Sequence, residues 1–440
     1  MSPEMVGILG LVIFLVLLIL KLPVAVNMAV VGFGGCAYLL STQTALKVVS
    51  ADFYSTFANY NLATIALFVL MGFLVTYSGM SNKVFAFAYL ILGRLRGGLA
   101  MASVVACAIF GAICGSYAAT SAIVGSAAIP EMRRYKYSDS LATATIAAGG
   151  VIGTLIPPSV TFIIYAISAE QSVNRLFISG IVPGIMFMLS FIVVIAIITK
   201  RNPAAGPASD AAKPTFKEIL VAAKEGIIQI VIVFVVSLGG LFAGYFTPTE
   251  AGGVGAAMVL IIALLSRQMT WGKFISSLRD TTKTTAMIMF LVAGATVFGR
   301  FIALSRMPSM IGDALTGINA APIVIVLLVF LIYLILGMFM DTIPMVLLTV
   351  PIFYPIVVLE LGYDPIWFGV IVVMCTCIGA FTPPVGANTF MVKALVRDVP
   401  LETIFKGSIP FLIGAVVSAI LVIVIPQLAT FLPDLILGAA

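Results

Sequence analysis

Apolar residues fill this chain in long blocks, and the polar residues fall between them. Runs of membrane-spanning length occur at about 5–20, 24–40, 61–79, 177–199, 227–245, 249–266, 284–304 and 407–431. Two further runs, 139–168 and 365–392, each contain a Pro-Pro pair, in GTLIPPSV from Gly153 and GAFTPPVG from Gly379. The stretches 81–98 and 305–320 are shorter and carry charges, so they are expected as arms near the surface. The pattern predicts an all-α polytopic membrane protein. A 62% hydrophobic and 9% charged composition agrees, because a soluble chain of this length needs more polar surface than that. MSPEMVGILGLVIFLVLLILKLP at the start has no basic n-region and no small-residue cleavage site, so a retained first span is expected rather than a signal peptide.

The blocks repeat. Pro23 matches Pro248 at an offset of 225, Pro130 matches Pro355 at 225, Pro157 matches Pro383 at 226 and Pro183 matches Pro410 at 227. A near-constant offset across four anchors indicates duplication, with residues 1–199 as the first repeat, 200–218 as a polar cytoplasmic linker and 219–440 as the second repeat. Charge gives the relative orientation. With the N-terminus outside, the basic residues from Lys21 to Lys406 fall inside, leaving only Lys47, Arg175, Arg300 and Arg306 out. Matched loops then carry opposite charge. EMRRYKY follows Pro130, whereas IVVLELGYDP, with Glu360 and Asp364, follows Pro355. The loop after the first Pro-Pro run holds Glu170 and Arg175, and the loop after the second holds Lys393, Arg397 and Lys406. Equivalent blocks on opposite sides require an odd number of crossings per half, counted as five, and an inverted-topology repeat with both termini periplasmic. The net charge of +6 is read as this inside bias, with no nucleic-acid partner implied.

Two segments are too short to cross twice. Arg96 and Arg133, both inside, have 36 residues between them, while two crossings need about 40 residues and a turn. A re-entrant hairpin at about 99–130 is expected, with the Gly/Ser/Thr-rich GAICGSYAATSAIVG (111–125) at its tip. Its counterpart, at about 322–355, has LGMFMDTIPM (336–345) at its middle, where Asp341 is expected as a buried functional carboxylate, as the cap of the following helix, or as both. Each hairpin is expected to face the broken helix of its own half, about 139–168 and about 365–392. Proline removes a donor and frees carbonyls near Gly153 and Gly379, and oxygen-rich breaks suit a small hard cation, while half-helix N-termini suit a carboxylate.

With no histidine and few intramembrane acids, sodium coupling is expected over proton coupling. Cys36, Cys107, Cys114, Cys375 and Cys377 lie in apolar runs and read as core residues. Arg300 is expected to snorkel, with contact to an anionic substrate as the alternative. Glu250 reads as a capping acid, and Trp271 and Trp367 as interfacial belt anchors.

The segments GSYAATSAIVGSAAIPEM (115–132), GGVIGTLIPPSV (149–160), GMFMDTIPMVLLTVPIFYPI (337–356) and GAFTPPVGANTF (379–390) resemble the large membrane subunit, DctM type, of TRAP transporters across essentially the whole chain. The first tip, GSYAATSA, departs from an expected form nearer GSSPATVA. The resemblance implies a sodium-driven secondary importer of organic acids, typically C4-dicarboxylates or sialic acid, in the bacterial inner membrane. It implies a periplasmic binding protein that delivers substrate and a small four-helix membrane subunit, here expected as a separate polypeptide. It also implies an elevator fold, in which 99–168 and 322–392 move against a scaffold. Sodium ions, with no organic cofactor, are implied at Ser116, Thr120, Gly153 and Pro157, and at Asp341, Thr342, Thr382 and Asn388. Substrate would lie between the tips, near Ser116, Tyr117, Thr120, Ser121, Thr154, Thr342, Pro384 and Asn388. The alternatives are a stand-alone sodium/anion symporter of the same superfamily and, from another class, a channel with re-entrant loops. An intramembrane enzyme is disfavoured by the lack of histidine, paired acids and a reactive cysteine.

Overall fold

The computed structural model describes residues 1–208, 215–223, 227–317 and 321–438. Within them the chain is helical, and the helix ends follow from local chemistry. α1 (Pro3–Ile19) starts where the Ser2 hydroxyl accepts the Met5 N–H, α2 (Val24–Leu39) starts after Pro23, and α3 (Thr42–Phe57) is capped by Ser41. α4 (Ala63–Ser78) continues a short turn from Tyr60 and stops at Gly79, whose φ of +80° ends it. α5 (Met80–Leu92) is the first arm. α6 (Gly98–Cys114) and α7 (Tyr117–Arg134) form a hairpin that turns at Gly115 and Ser116. Ser138 caps α8 (Asp139–Leu155), Ser159 caps α9 (Val160–Ser168) and Ser172 caps α10 (Val173–Arg201).

In the second half, α11 (Phe216–Ala222) precedes α12 (Ile228–Phe234) and α13 (Gly240–Phe242), which flank a π-helical turn at Val235–Gly239. α14 (Pro248–Leu265) opens with a capping box in which Glu250 accepts the Thr247 N–H at 2.8 Å, the capping role expected for it. α15 (Trp271–Leu304) is the longest helix, and α16 (Met307–Thr316) is the second arm. α17 (Pro322–Gly337) and α18 (Thr342–Tyr354) form the second hairpin. α19 (Pro365–Gly379), capped by Asp364, and α20 (Ala387–Leu395) flank the second Pro-Pro pair, and α21 (Leu401–Val424) and α22 (Gln427–Leu437) finish the chain.

Six helices among the described residues are long and apolar enough to cross a bilayer: Tyr60–Ser78, Val173–Arg201, Pro248–Leu265, Trp271–Leu304, Thr342–Glu360 and Leu401–Val424. The pair α8–α9, bent by 46° at its break, makes a seventh if counted as one span. The runs at 5–20, 24–40 and 227–245 yield shorter helices, Pro3–Ile19, Val24–Leu39 and Ile228–Phe242. At 1.5 Å per residue, the first two reach only about 25 Å, less than the roughly 30 Å of a hydrocarbon core. The chain is thus a multi-pass membrane protein.

The halves interlock instead of folding separately. The outgoing limb of each hairpin packs on the broken helix of its own half, α6 on α8 and α17 on α19. The return limbs pack on both halves, α7 on α8 and α20, and α18 on α19 and α9. The expectation that each hairpin faces the broken helix of its own half therefore holds, and the return limbs add contacts to the other half. Bonds between the halves seal the arrangement, among them Tyr165 Oη to Pro365 O at 2.7 Å.

The start of the linker is not a free loop. Gly97 and Ser138 donate to Gly206 O and Ala205 O, each at 3.0 Å, while residues 209–214, with Lys213, and also Lys224 lie outside the described residues. Trp271 is 76% exposed, as a belt residue would be, but Trp367 is not a belt anchor. It is fully buried, donates to Val422 O at 2.8 Å and stacks on Tyr363. At the third position of α19, it points into the α19–α21 contact. Arg300 does not snorkel freely either. Its Nε and Nη2 bind both oxygens of Asp52, a residue of α3 that is 5% exposed, at 2.9 and 2.7 Å. All five cysteines are free, buried thiols.

Candidate functional site: a cavity where the hairpin tips meet

Glycine builds the first tip. Gly115 has φ +60°, and a Cβ there would lie 2.4 Å from Pro158 O, so the turn rests directly on the first Pro-Pro break. Ser116 follows in extended conformation and makes no side-chain cap bond, so the first N–H groups of α7 stay open. The Ser116 carbonyl faces the other way and accepts from Thr120 N and Thr120 Oγ1.

The second tip is closed by its acid. Asp341 Oδ1 accepts the Thr342 N–H at 2.6 Å, capping α18, and also accepts the Tyr117 hydroxyl at 2.6 Å. One carboxylate oxygen therefore joins the two tips, from positions 224 residues apart. Asp341 was expected to be buried, but it is exposed, because it stands at the lip of a cavity. Its capping role and its place at the tips coexist.

That cavity, about 430 Å³, opens between the tips and the helices α4 and α15. Ser116, Tyr117, Thr154, Asp341 and Thr342 line it, so five residues singled out in the sequence converge. Thr154 Oγ1 is buried and has no hydrogen-bond partner. The other singled-out residues lie behind the wall. Thr120 is buried beside Gly153, where a glycine Cβ would sit 2.7 Å from Thr120 Oγ1, so this pair is close together. Pro157 is buried under the first tip and Pro384 is exposed away from the cavity. Thr382 Oγ1 turns back to Ile378 O at 2.6 Å.

Asn388, expected at a sodium site with Asp341, is off the cavity wall and bonded to the first half. Its Nδ2 donates to Ala147 O of α8 at 2.6 Å, next to Ser121, whose Oγ donates to Ile146 O at 3.3 Å. Gly150 leaves the room, since a Cβ there would lie 1.8 Å from Ser121 Oγ. Asn388 follows a glycine of positive φ, Gly386, and its helix α20 packs on α7 and α8 of the first half. Asn388 Oδ1 is buried without a partner.

Thr76, Thr284, Val69, Phe73 and Ile288, also on the wall, were not anticipated. They sit in ordinary apolar helices, and nothing in their local pattern marks them. Among the described residues no lysine, arginine, asparagine or glutamine lines the cavity, and no group of acids, thiols or imidazoles could hold a metal ion.

A multi-pass helical bundle with a cavity between two hairpin tips, each tip braced on a Pro-Pro break, has the form of a membrane permease. Comparison with known proteins gives the family. The profile of the tripartite ATP-independent periplasmic transporter, DctM component, matches residues 11–428, and the chain belongs to that family. It is 35% identical over 404 residues to the C4-dicarboxylate TRAP transporter large permease protein DctM of Pseudomonas aeruginosa, covering 91% of this chain and 92% of that protein. It is 32% identical over 401 residues to the sialic acid TRAP transporter large permease protein SiaM of Vibrio cholerae, covering 91% and 92%. The solved structure of the YdaH transporter of Alcanivorax borkumensis superposes with a TM-score of 0.61 at 13% identity over 87% of this chain and 88% of that one, a likeness of fold alone. The protein is a transporter permease and not an enzyme.

Proposed function

We propose that this chain is the translocating subunit of a sodium-coupled importer of an organic acid in the bacterial inner membrane. The observation that carries the reading is the pairing of an uncapped helix N-terminus with the Asp341 carboxylate in one cavity that has no basic lining residue. An anion fits the open N–H groups of α7, a preference worth about 0.3–1 kcal/mol and up to ~2 kcal/mol when partly buried. The same anion meets repulsion from Asp341 unless a cation enters with it. Sodium, carried as cargo, would use Asp341 with Thr342 at the second tip, and the Thr120–Gly153 neighbourhood at the first. Thr382 Oγ1 is committed to Ile378 O, whereas the unpartnered Oδ1 of Asn388 stays available to a cation.

The two hairpins act as re-entrant loops of an inverted repeat, and both termini face the periplasm. The body made by 99–168 and 322–392 slides as an elevator against the remaining helices. Family membership supports a small membrane subunit and a periplasmic binding protein as partners. A C4-dicarboxylate or sialic acid is the substrate in the names of the relatives quoted above.

The test is uptake into proteoliposomes that hold this chain and the small subunit, with the binding protein outside. An inward sodium gradient should drive accumulation of the acid, and replacing sodium with choline should abolish it. Uptake indifferent to sodium would sink the coupling. Uptake by the chain alone would favour a stand-alone symporter. Single cysteines beside Arg134 and Glu360 should label from opposite faces, and labelling from one face would end the inverted repeat.

A further inference from the structure

Resting on the reading of Asp341 as a sodium ligand at the second tip, we propose that Tyr117 is the positioning residue of that site. From the first hairpin its hydroxyl fixes one oxygen of the Asp341 carboxylate and leaves the other for the cation. The cation place at the second tip is then built by both hairpins.

The geometry begins with a proline. A capping side chain ordinarily accepts the N–H of the second or third residue of its helix. In α18 the third residue is Pro344, which has no N–H. The Asp341 carboxylate turns instead to the first residue, and its Oδ1 accepts the Thr342 N–H at 2.6 Å. Tyr117 opens α7 at the other tip and is only 9% exposed, and its hydroxyl donates to the same Oδ1 at 2.6 Å. Oδ1 therefore takes one short bond from each half of the chain, which fills the roughly two acceptor sites of a carboxylate oxygen. Among the described residues no hydrogen bond reaches Oδ2, while Asp341 stands exposed on the cavity wall. One oxygen is committed and its twin is open to a cation.

The terminal torsion of an aspartate is broad, so the cap bond alone holds the carboxylate loosely. A second bond from the opposite hairpin fixes the plane of the group and the direction of its free oxygen. Partners that orient a ligating carboxylate are worth about 10–100-fold in metal affinity. Among the described residues no other hydrogen bond joins the two tips, so no second group substitutes for the Tyr117 hydroxyl.

The experiment follows thermal unfolding of the detergent-purified full chain, with its small membrane subunit, as sodium chloride replaces choline chloride at constant ionic strength. Sodium should raise the unfolding temperature, and Asp341→Ala should remove the part of the rise that belongs to the second tip. Tyr117→Phe keeps the ring and deletes the hydroxyl, and it should move the midpoint of that part to about tenfold higher sodium. A tie that served stability alone would lower the unfolding temperature alike in sodium and in choline with the midpoint in place, and that result overturns the proposal. In the Asp341→Ala background, Tyr117→Phe should leave the sodium response unaltered. A midpoint shift as large there as in the parent would show that the hydroxyl acts elsewhere, and overturns it too. Tyr117→Leu, which also lacks the hydroxyl, takes the place of Tyr117→Phe should that variant not fold. No sodium rise in the parent, or a full rise in Asp341→Ala, ends the sodium reading of the second tip and this inference with it. Loss of the rise in Asp341→Ala beside an unmoved midpoint in Tyr117→Phe removes only Tyr117 from the site.

Discussion

The two Pro-Pro breaks come from matching sequence yet are built differently. At the first, only Ile156–Ser159 separates α8 from α9, and all but the half-buried Ile156 are buried. Its helix restarts with a side-chain cap, Ser159 Oγ accepting Phe162 N at 3.3 Å. At the second, Ala380–Gly386 separates α19 from α20, and Pro384 and Val385 are exposed. Gly386 restarts the helix without a side-chain cap and donates its N–H to Met338 O of the second tip at 3.2 Å. Both breaks sit on the same Gly–Gly helix crossing, Gly111 on Gly153 and Gly337 on Gly379. The first break is therefore held by packing, and the second by a backbone bond to its own tip. A region held by few buried contacts opens at lower free energy, so the second tip is the one suited to open.

The largest expected effect tests the crossings. A Cβ on Gly111 would lie 2.1 Å from Gly153 Cα, while one on Gly337 would lie 3.0 Å from Gly379 Cα; the reciprocal distances, 2.7 and 2.5 Å, are nearly equal. Backbone cannot step aside as a side chain can. Gly111→Ala should cost about 3 kcal/mol or more and Gly337→Ala about 1 kcal/mol, read as unfolding temperature and as the monodisperse fraction in size-exclusion chromatography. Equal losses would remove the contrast.

The tips come next. Asp341→Ala should abolish sodium-dependent uptake while losing only about 1 kcal/mol of stability, the worth of a helix cap. Ser116→Ala, at the matching position of the first tip, should leave stability unchanged, since Ser116 makes no side-chain cap bond. Full uptake in Asp341→Ala would take that acid out of the site. Amide hydrogen exchange should then sharpen the comparison, with the amides of Ala380, Phe381, Thr382, Val385 and Gly386 exchanging at least about tenfold faster on average than those of Ile156 and Ser159, the prolines carrying no amide hydrogen. Equal protection would mean that packing and the Met338 bond hold the two breaks alike.

The smallest effect concerns a tie between the halves. Arg133 bonds Asp139 at 2.6 Å and Asp398 at 2.7 Å, joining the return limb of the first hairpin to the loop after α20. The Arg133 guanidinium holds the Asp398 carboxyl below the usual range. A depressed folded-state pKa stabilises above the ordinary aspartate value and ceases to do so as pH falls through the depressed one. Asp398→Asn should therefore flatten the acid limb of the stability profile slightly, and the pair is exposed enough to keep the effect small. An unchanged acid limb would show that the tie contributes nothing.

Much of this was legible in the sequence because it depends on local, periodic chemistry. Apolar blocks have to be helices in a membrane, proline pairs have to interrupt them, and Ser, Thr and Asp before a helix satisfy its free N–H groups. Those features fixed the helical class, both hairpins, both breaks and the capping acid Glu250. Asp341 stood out because an acid inside apolar sequence is expensive without a purpose, while Ser116, Tyr117, Thr154 and Thr342 were implied by the family resemblance. Tertiary structure alone decided which surfaces met. Packing of α20 on α8 put Asn388 against Ala147, and the meeting of the two tips brought the Tyr117 hydroxyl to the Asp341 carboxylate. Trp367 went inward and Arg300 found Asp52 for the same reason. Contacts between residues more than 200 positions apart are set by how helices pack in three dimensions, and a one-dimensional pattern carries no distance of that kind.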